Sequence, residues 1–468
     1  MTGRLSAPPP GDLLDVRDGR ATLAARRRPR RPRRHELVST EHFEHRLTCA
    51  DVVGMASWTY LPPRPSRCLA TLVLLSQSRH VRNIVSRVTS TPRPLTGLVG
   101  RALVELARPA GPGDPGPIAI ALERGKLESL SALVFYHRLD APFVDVVRRL
   151  GTQVPDGHLV RIAENRVTRM RVLTALVELA RILDDHQIDW VVVKGPVVSR
   201  RMRHPEHRAF NDLDLVVVGA DLEPALNALS AAGADELNHN WDAYIRHEVG
   251  EVPLSFGGVP LDLHWSLVGL GAVRRTMQLP TDVMVRRRVK VELNGHVEVP
   301  ALDPVDELLH LCVHSALAGA ARLDQLRDIA VVAGTERDLD WDLFVRRARS
   351  ALVAPLVAHA LDRAANVLGA SIPRPMVEQM GGASLRIGRW IDSTGAPDRA
   401  RLRGVHVKSA RNDRRARWRA RQVLVRAEFT RRMSPEHSWD FADPRSVLYQ
   451  GTDAGGADAR RTFIELAR

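Results

Sequence analysis

The apolar positions of this chain change period several times, and each change marks a structural boundary. From Ile118 to about His186 they recur at helical spacing. Leu127, Leu130 and Leu133-Val134 form one stripe, and Val167, Met170, Leu173, Leu176-Val177, Leu179-Ala180 and Leu183 form a longer one. A β-branched run, Trp190-Val191-Val192-Val193, then ends at Lys194-Gly195. A second run, from Leu213 to Val218, is entered from Asn211-Asp212, and both predict strands. Asp221 is expected to cap a helix that runs through Leu229 and stops at Gly233. Residues 252–256 and 259–265 flank Gly257-Gly258, while 289–293 and 296–299 flank Asn294-Gly295; both read as hairpins. After Pro304 the helical period returns in Leu308-Leu309, Leu311-Cys312 and Leu317, with later stripes at 323–333, 343–352 and 355–368. Trp418, Val425, Phe429 and Met433 predict one more helix, rich in arginine.

These changes divide the chain. Residues 1–36, with Pro8-Pro9-Pro10-Gly11 and an Arg/Pro run from Arg26 to Arg34, read as a disordered basic leader. Residues 37–116 are Pro-rich and poorly defined, 117–187 a helical subdomain, and 188–300 an α/β block with a mixed sheet. Residues 301–440 read as a helical C-terminal domain and 441–468 as a tail. The expected fold class is α/β (α+β): a small mixed sheet flanked by N- and C-terminal helical domains.

Composition sharpens this picture in three respects. At 468 residues, 44% hydrophobic and 26% charged, the chain has material for two or three folded domains. Cys49, Cys68 and Cys312 cannot build a disulfide framework, so a cytoplasmic location is expected, and no apolar run predicts a membrane span. The formal charge of +14 invites a nucleic-acid partner, but its distribution argues otherwise for the centre. Residues 1–40 carry ten arginines against four acids, and 399–432 carry thirteen Arg/Lys against two, which leaves the remainder slightly acidic. Nucleic acid is therefore an expectation for the Arg-rich ends alone, against the plainer reading of a solvated tail and a docked helix.

The chemistry is expected in the α/β block. Along a strand, Asp212 and Asp214 share one face about 7 Å apart, while Leu213 and Leu215 point to the other. Asp262 and His264 alternate in the same way with Leu261, Leu263 and Trp265. Acids at apolar strands are costly unless they are solvated, paired or bind a cation. A divalent ion held by carboxylates and substrate phosphates is the usual solution in phosphoryl chemistry. His310 and His314 lie one turn apart on a helix, without the Glu of a zinc-peptidase motif, and read as structural or substrate-contact residues.

The ordered set Lys194-Gly195, Arg208, Asp212, Asp214-Leu215-Val216, Asp262-Leu263-His264-Trp265 and the 308–314 segment resembles a family of the DNA polymerase β-like nucleotidyltransferase superfamily, an uncharacterised bacterial branch of it. The resemblance covers about 118–370 and implies a nucleotidyltransferase-fold sheet. It implies Mg²⁺ or Mn²⁺ on Asp212, Asp214 and Asp262 as catalytic and metal residues. It further implies NTP contacts from Lys194, Gly195, Arg208 and His264, and transfer of a nucleoside monophosphate from an NTP to an unknown acceptor (small molecule, protein or RNA). One position departs from the family pattern: Pro196 replaces the small residue whose N–H or hydroxyl meets phosphate. Two alternatives therefore stand beside transfer. One is a catalytically inactive nucleotide-binding or toxin–antitoxin-like partner protein; the other is a nucleic-acid-binding protein using its Arg-rich ends.

Overall fold

A computed structural model describes residues 95–293, 297–336, 338–393, 402, 404–408, 410 and 453–468. The basic leader, most of the Pro-rich region, the Asn294-Gly295 turn and the 418–433 stripe lie outside them. The described chain opens with helices α1 (Leu98–Leu106), α2 (Gly116–Glu123), α3 (Leu127–His137), α4 (Asp140–Arg149) and the long α5 (Asp156–Asp185). Helix α1 falls where prolines obscured any period, yet its Ala102, Leu103 and Leu106 are fully buried. Helix α5 buries Val172, Leu176, Leu179 and Leu183 against the sheet but leaves Val167, Met170 and Val177 exposed, so its apolar stripe is narrower than the sequence pattern.

The α/β block follows: β1 (Trp190–Val193), α6 (Gly195–Ser199), β2 (Leu213–Val217), α7 (Leu222–Ala231), β3 (Asp235–Glu236), β4 (His239–Asn240) and α8 (Trp241–His247). It continues through β5 (Glu251–Phe256), β6 (Val259–His264), α9 (Gly271–Arg274), α10 (Thr281–Arg286), β7 (Val289–Leu293) and β8 (Val297–Ala301). Seven strands form one sheet in the order β3-β5-β6-β2-β1-β8-β7. The β2–β6 and β1–β8 pairs are parallel and the others antiparallel, which is the mixed sheet expected. Gly257 and Gly258 both take positive φ, as a two-residue hairpin turn requires. Asp221 does not cap α7. Its carboxylate instead accepts the Asp189 N–H at 2.8 Å, which ties the start of β1 to the end of β2.

Helices α11 (Pro304–Leu317), α12 (Leu323–Thr335), α13 (Trp341–Ser350), α14 (Ala354–Leu368), α15 (Arg374–Ser393) and α16 (Val405–Lys408) come next. They share one apolar core with α1–α4. A two-residue β9 (Asp453–Ala454) pairs with β4, and α17 (Gly456–Ala467) buries Phe463 and Ile464 against Trp241 and Tyr244 of α8. The segment read as a tail thus ends in a helix that belongs to the sheet core. No described helix is long and apolar enough to cross a membrane.

Strand alternation decides where polar groups can sit. Trp190, Val192, Leu213, Leu215, Leu261 and Leu263 point into the core beneath α5 and α7. Val191, Val193 and Val216 face the other way, onto a smaller cluster with Met284, Val285 and Leu302. Asp214, Asp262 and His264 fall on this second face by the same period of two.

Candidate active site

The site begins where β1 must turn directly into α6. Lys194 makes that turn with φ +56° and ψ −128°, a conformation side-chain-bearing residues seldom adopt. Strain of this kind costs about 1–3 kcal/mol and persists only where the surroundings impose it. The following Gly195 serves packing: the Phe210 ring lies 3.2 Å from where its Cβ would be. Pro196 sits in the first turn of α6, where its missing N–H costs the helix nothing.

Parallel pairing of β2 with β6 sets Asp214 directly beside Asp262 and Val216 beside His264. The side chains then form a charged relay. Lys194 Nζ lies 2.6 Å from Asp214 Oδ1, and His264 Nε2 lies 3.1 Å from the same oxygen. His264 Nδ1 reaches Glu251 Oε2 at 2.9 Å across the β5–β6 hairpin. An imidazole donating from both nitrogens is a cation. Against its burial, Glu251 and Asp214 raise His264 to about 10. Burial opposes the charge on Asp214, yet Lys194 and then His264 hold its carboxyl well below the usual range.

Asp262 is the counterpart. Burial, reinforced by Glu251, Asp214 and Asp212 and only partly offset by His264, pushes its carboxyl up to about 7. Among the described residues neither the Asp262 nor the Asp212 carboxyl has a hydrogen bond or ion pair, although both stand near the ionised Asp214. Asp214, Asp262 and His264 bring one ligand atom each within 4.8 Å of one another. Asp212, one residue before β2 begins, stands outside that tight set. Its carboxyl is raised by burial and by Asp214.

The remaining expected residues part company. Arg208 is turned away to α12, where its Nε sits 2.9 and 3.0 Å from the two Asp328 oxygens and its Nη2 2.8 Å from Oδ2. Arg327 donates to the His207 carbonyl at 2.9 Å and Arg201 meets Glu307 of α11 at 2.7 Å. The loop between α6 and β2 is thereby fastened to the helical layer. Glu251 was not anticipated from sequence, although the hairpin turn at Gly257-Gly258 places it opposite His264.

His310, buried, and His314, half-buried, lie on α11 on the side that feels Lys194. Neither ring nitrogen of His310 has a hydrogen-bond partner among the described residues. Burial, aided by Lys194, lowers His310 to about 3. An unfolded histidine titrates near 6.5, so the unfolded chain binds this proton first as the pH falls. The histidine's contribution to stability is whole above about pH 6.5 and is lost as the pH falls toward 3. Relative to His310→Asn, the wild type should therefore lose up to about 2 kcal/mol between pH 7.5 and 5, read from urea unfolding at both values.

A search of curated proteins finds no match. A family model described as an uncharacterised nucleotidyltransferase matches residues 125–369, which takes in the whole sheet-face cluster, Arg208 and the α11 histidines. The match spans more than half of the chain, and the chain belongs to this uncharacterised nucleotidyltransferase family.

Proposed function

We propose that the chain transfers a nucleoside monophosphate from an NTP to an acceptor hydroxyl or phosphate, with Mg²⁺ or Mn²⁺ at the face carrying Asp212, Asp214 and Asp262. The observation behind this reading is the pair of unpartnered carboxyls near the ionised Asp214, with Asp262 directly beside it and Asp212 two residues earlier in the chain. Hard divalent ions take oxygen ligands and keep open positions for substrate phosphates, and this donor set fits them. His264 fits less well as a ligand, because both of its nitrogens are turned to carboxylates. It is better assigned to orienting Asp214. The bound ion would supply Lewis-acid stabilisation of phosphoryl oxygens. Lys194 offers positive charge to the same oxygens, and Asp262, with its raised proton affinity, is suited to take the acceptor's proton. Arg208, held by Asp328, positions the loop that carries Asp212.

The test is incubation with each α-labelled NTP and Mg²⁺ or Mn²⁺, in the presence of RNA, protein and small acceptors. Label transfer with pyrophosphate release is expected; none with either ion overturns the proposal. A second reading, nucleotide binding without transfer, is favoured by Pro196 and by the ammonium of Lys194 seated on Asp214. It expects NTP binding in equilibrium dialysis with no pyrophosphate released.

A further inference from the structure

Away from the acidic cluster, a cavity of about 600 Å³ opens among the α1–α2 connection, the end of α4 and the 203–207 loop. Such a volume is ordinary for a small-ligand pocket and exceeds what a single inorganic ion fills. Arg108, Arg148, Arg149, Arg203, His204 and His207 line it, while Lys194, Asp214, Asp262 and His264 do not. The nearby acids are already engaged. Glu105 meets Arg108 at 2.7 Å and also accepts the N–H groups of Gly113 and Asp114. Asp145 meets His207 at 2.7 Å. The Arg149 guanidinium donates only to the Pro112 carbonyl, at 3.3 Å, and the side chains of Arg148 and Arg203 have no hydrogen bond or ion pair among the described residues. Three guanidinium groups thus share one concavity, and the one carboxylate that lines it, Asp145, is paired with His207.

Two ligand chemistries compete for this place. His204, Glu206 and His207 bring ligand atoms within 4.8 Å of one another, a geometry that suits a transition metal. The charges decide against it. His207 Nε2 is engaged by Asp145, His204 Nδ1 lies 3.3 Å from Glu206, and the surrounding guanidiniums repel a cation. An anion is attracted by all of them, and the planar donor fork of arginine matches phosphate oxygens in pairs.

We infer that this cavity is a phosphate-binding subsite for a phosphorylated ligand. The 203–207 wall belongs to the loop that joins Lys194 to Asp212. The simplest occupant is therefore the second substrate of the transfer reaction, an assignment that rests on the function proposed above. The phosphate belongs either to a small sugar phosphate or to an RNA chain.

Two probes separate these sources, both used with the full chain in EDTA. They are ribose 5-phosphate, followed by calorimetry, and a labelled single-stranded RNA oligomer, followed by anisotropy. At least one should bind. The double variant R148Q/R203Q should weaken it tenfold or more, with unchanged thermal unfolding because both side chains are exposed. Asp262→Asn should leave it unchanged. Weakening of the sugar phosphate alone assigns a small ligand; weakening of RNA with a shallower salt dependence assigns RNA, since the Arg-rich ends are the same in both proteins. The inference is overturned if neither probe binds at millimolar concentration, if R148Q/R203Q binds as the wild type does, or if Zn²⁺ alone binds and His204→Ala removes it. Phosphate binding without any label transfer would sink the transfer reading and leave the subsite standing.

Discussion

Asp214→Asn should lower nucleotidyl transfer about a thousandfold or more, measured as pyrophosphate release per folded molecule. Asp214 is where Lys194, His264 and the register partner Asp262 converge, and it is the carboxyl most firmly held in its charged form. Asparagine keeps the shape and removes the charge. Cation affinity at the face is lost with it, and a rate loss of three decades corresponds to about 4 kcal/mol of transition-state stabilisation. The variant also leaves the Lys194 ammonium with only the weaker fields of Asp212 and Glu251, and the His264 imidazolium with Glu251 and Asp262. A stability loss of about 3 kcal/mol should therefore accompany the kinetic effect. A separate readout confirms the cause: the His264 imidazole, followed by NMR, should titrate below the wild-type value of about 10. Transfer within tenfold of wild type in a folded Asp214→Asn protein would remove the acidic cluster from the chemistry.

Arg208→Ala should act on the fold. Arg208 and Asp328 are both nearly excluded from solvent, and removing the cation strands a buried carboxylate. Breaking such a pair costs about 3–5 kcal/mol. Urea unfolding should show that loss, and Arg208→Lys should restore little of it, because an ammonium cannot span both oxygens as the guanidinium does. A phosphate-contact role for Arg208 would instead raise KM for NTP and leave the unfolding midpoint in place. That pattern would show that the Asp328 pair gives way on substrate binding.

The contrast between these two residues shows what could be read from the chain beforehand. Alternation in β2 and β6 placed Asp214, Asp262 and His264 on one face, because a strand has a single period and its apolar residues fix which side is the core. Hairpin arithmetic about Gly257-Gly258 also contained Glu251, since a two-residue turn fixes every cross-strand partner. Arg208 lay beyond such rules. Its partner is Asp328 on α12, and no local period links positions so far apart. Asp212 shows the intermediate case. The strand pattern extended to it, but the ladder starts at Leu213, so its carboxyl is set apart from the other two. The strained backbone at Lys194 was illegible for another reason: no local pattern marks a lysine for positive φ, and the neighbouring Gly195, expected to let the backbone approach phosphate, instead has the Phe210 ring against it.

The loop that delivers Asp212 is bolted to the helical layer by Arg201–Glu307, Arg208–Asp328 and Arg327 on the His207 carbonyl. One half of each bolt lies on the sheet side and the other beyond residue 304. An excised α/β block would carry bare guanidiniums on a surface shaped to be covered. A gene fragment ending at the last strand is therefore a poor unit for recombination or domain grafting. The sheet and the helices make one unit, and a graft that keeps the fold carries both.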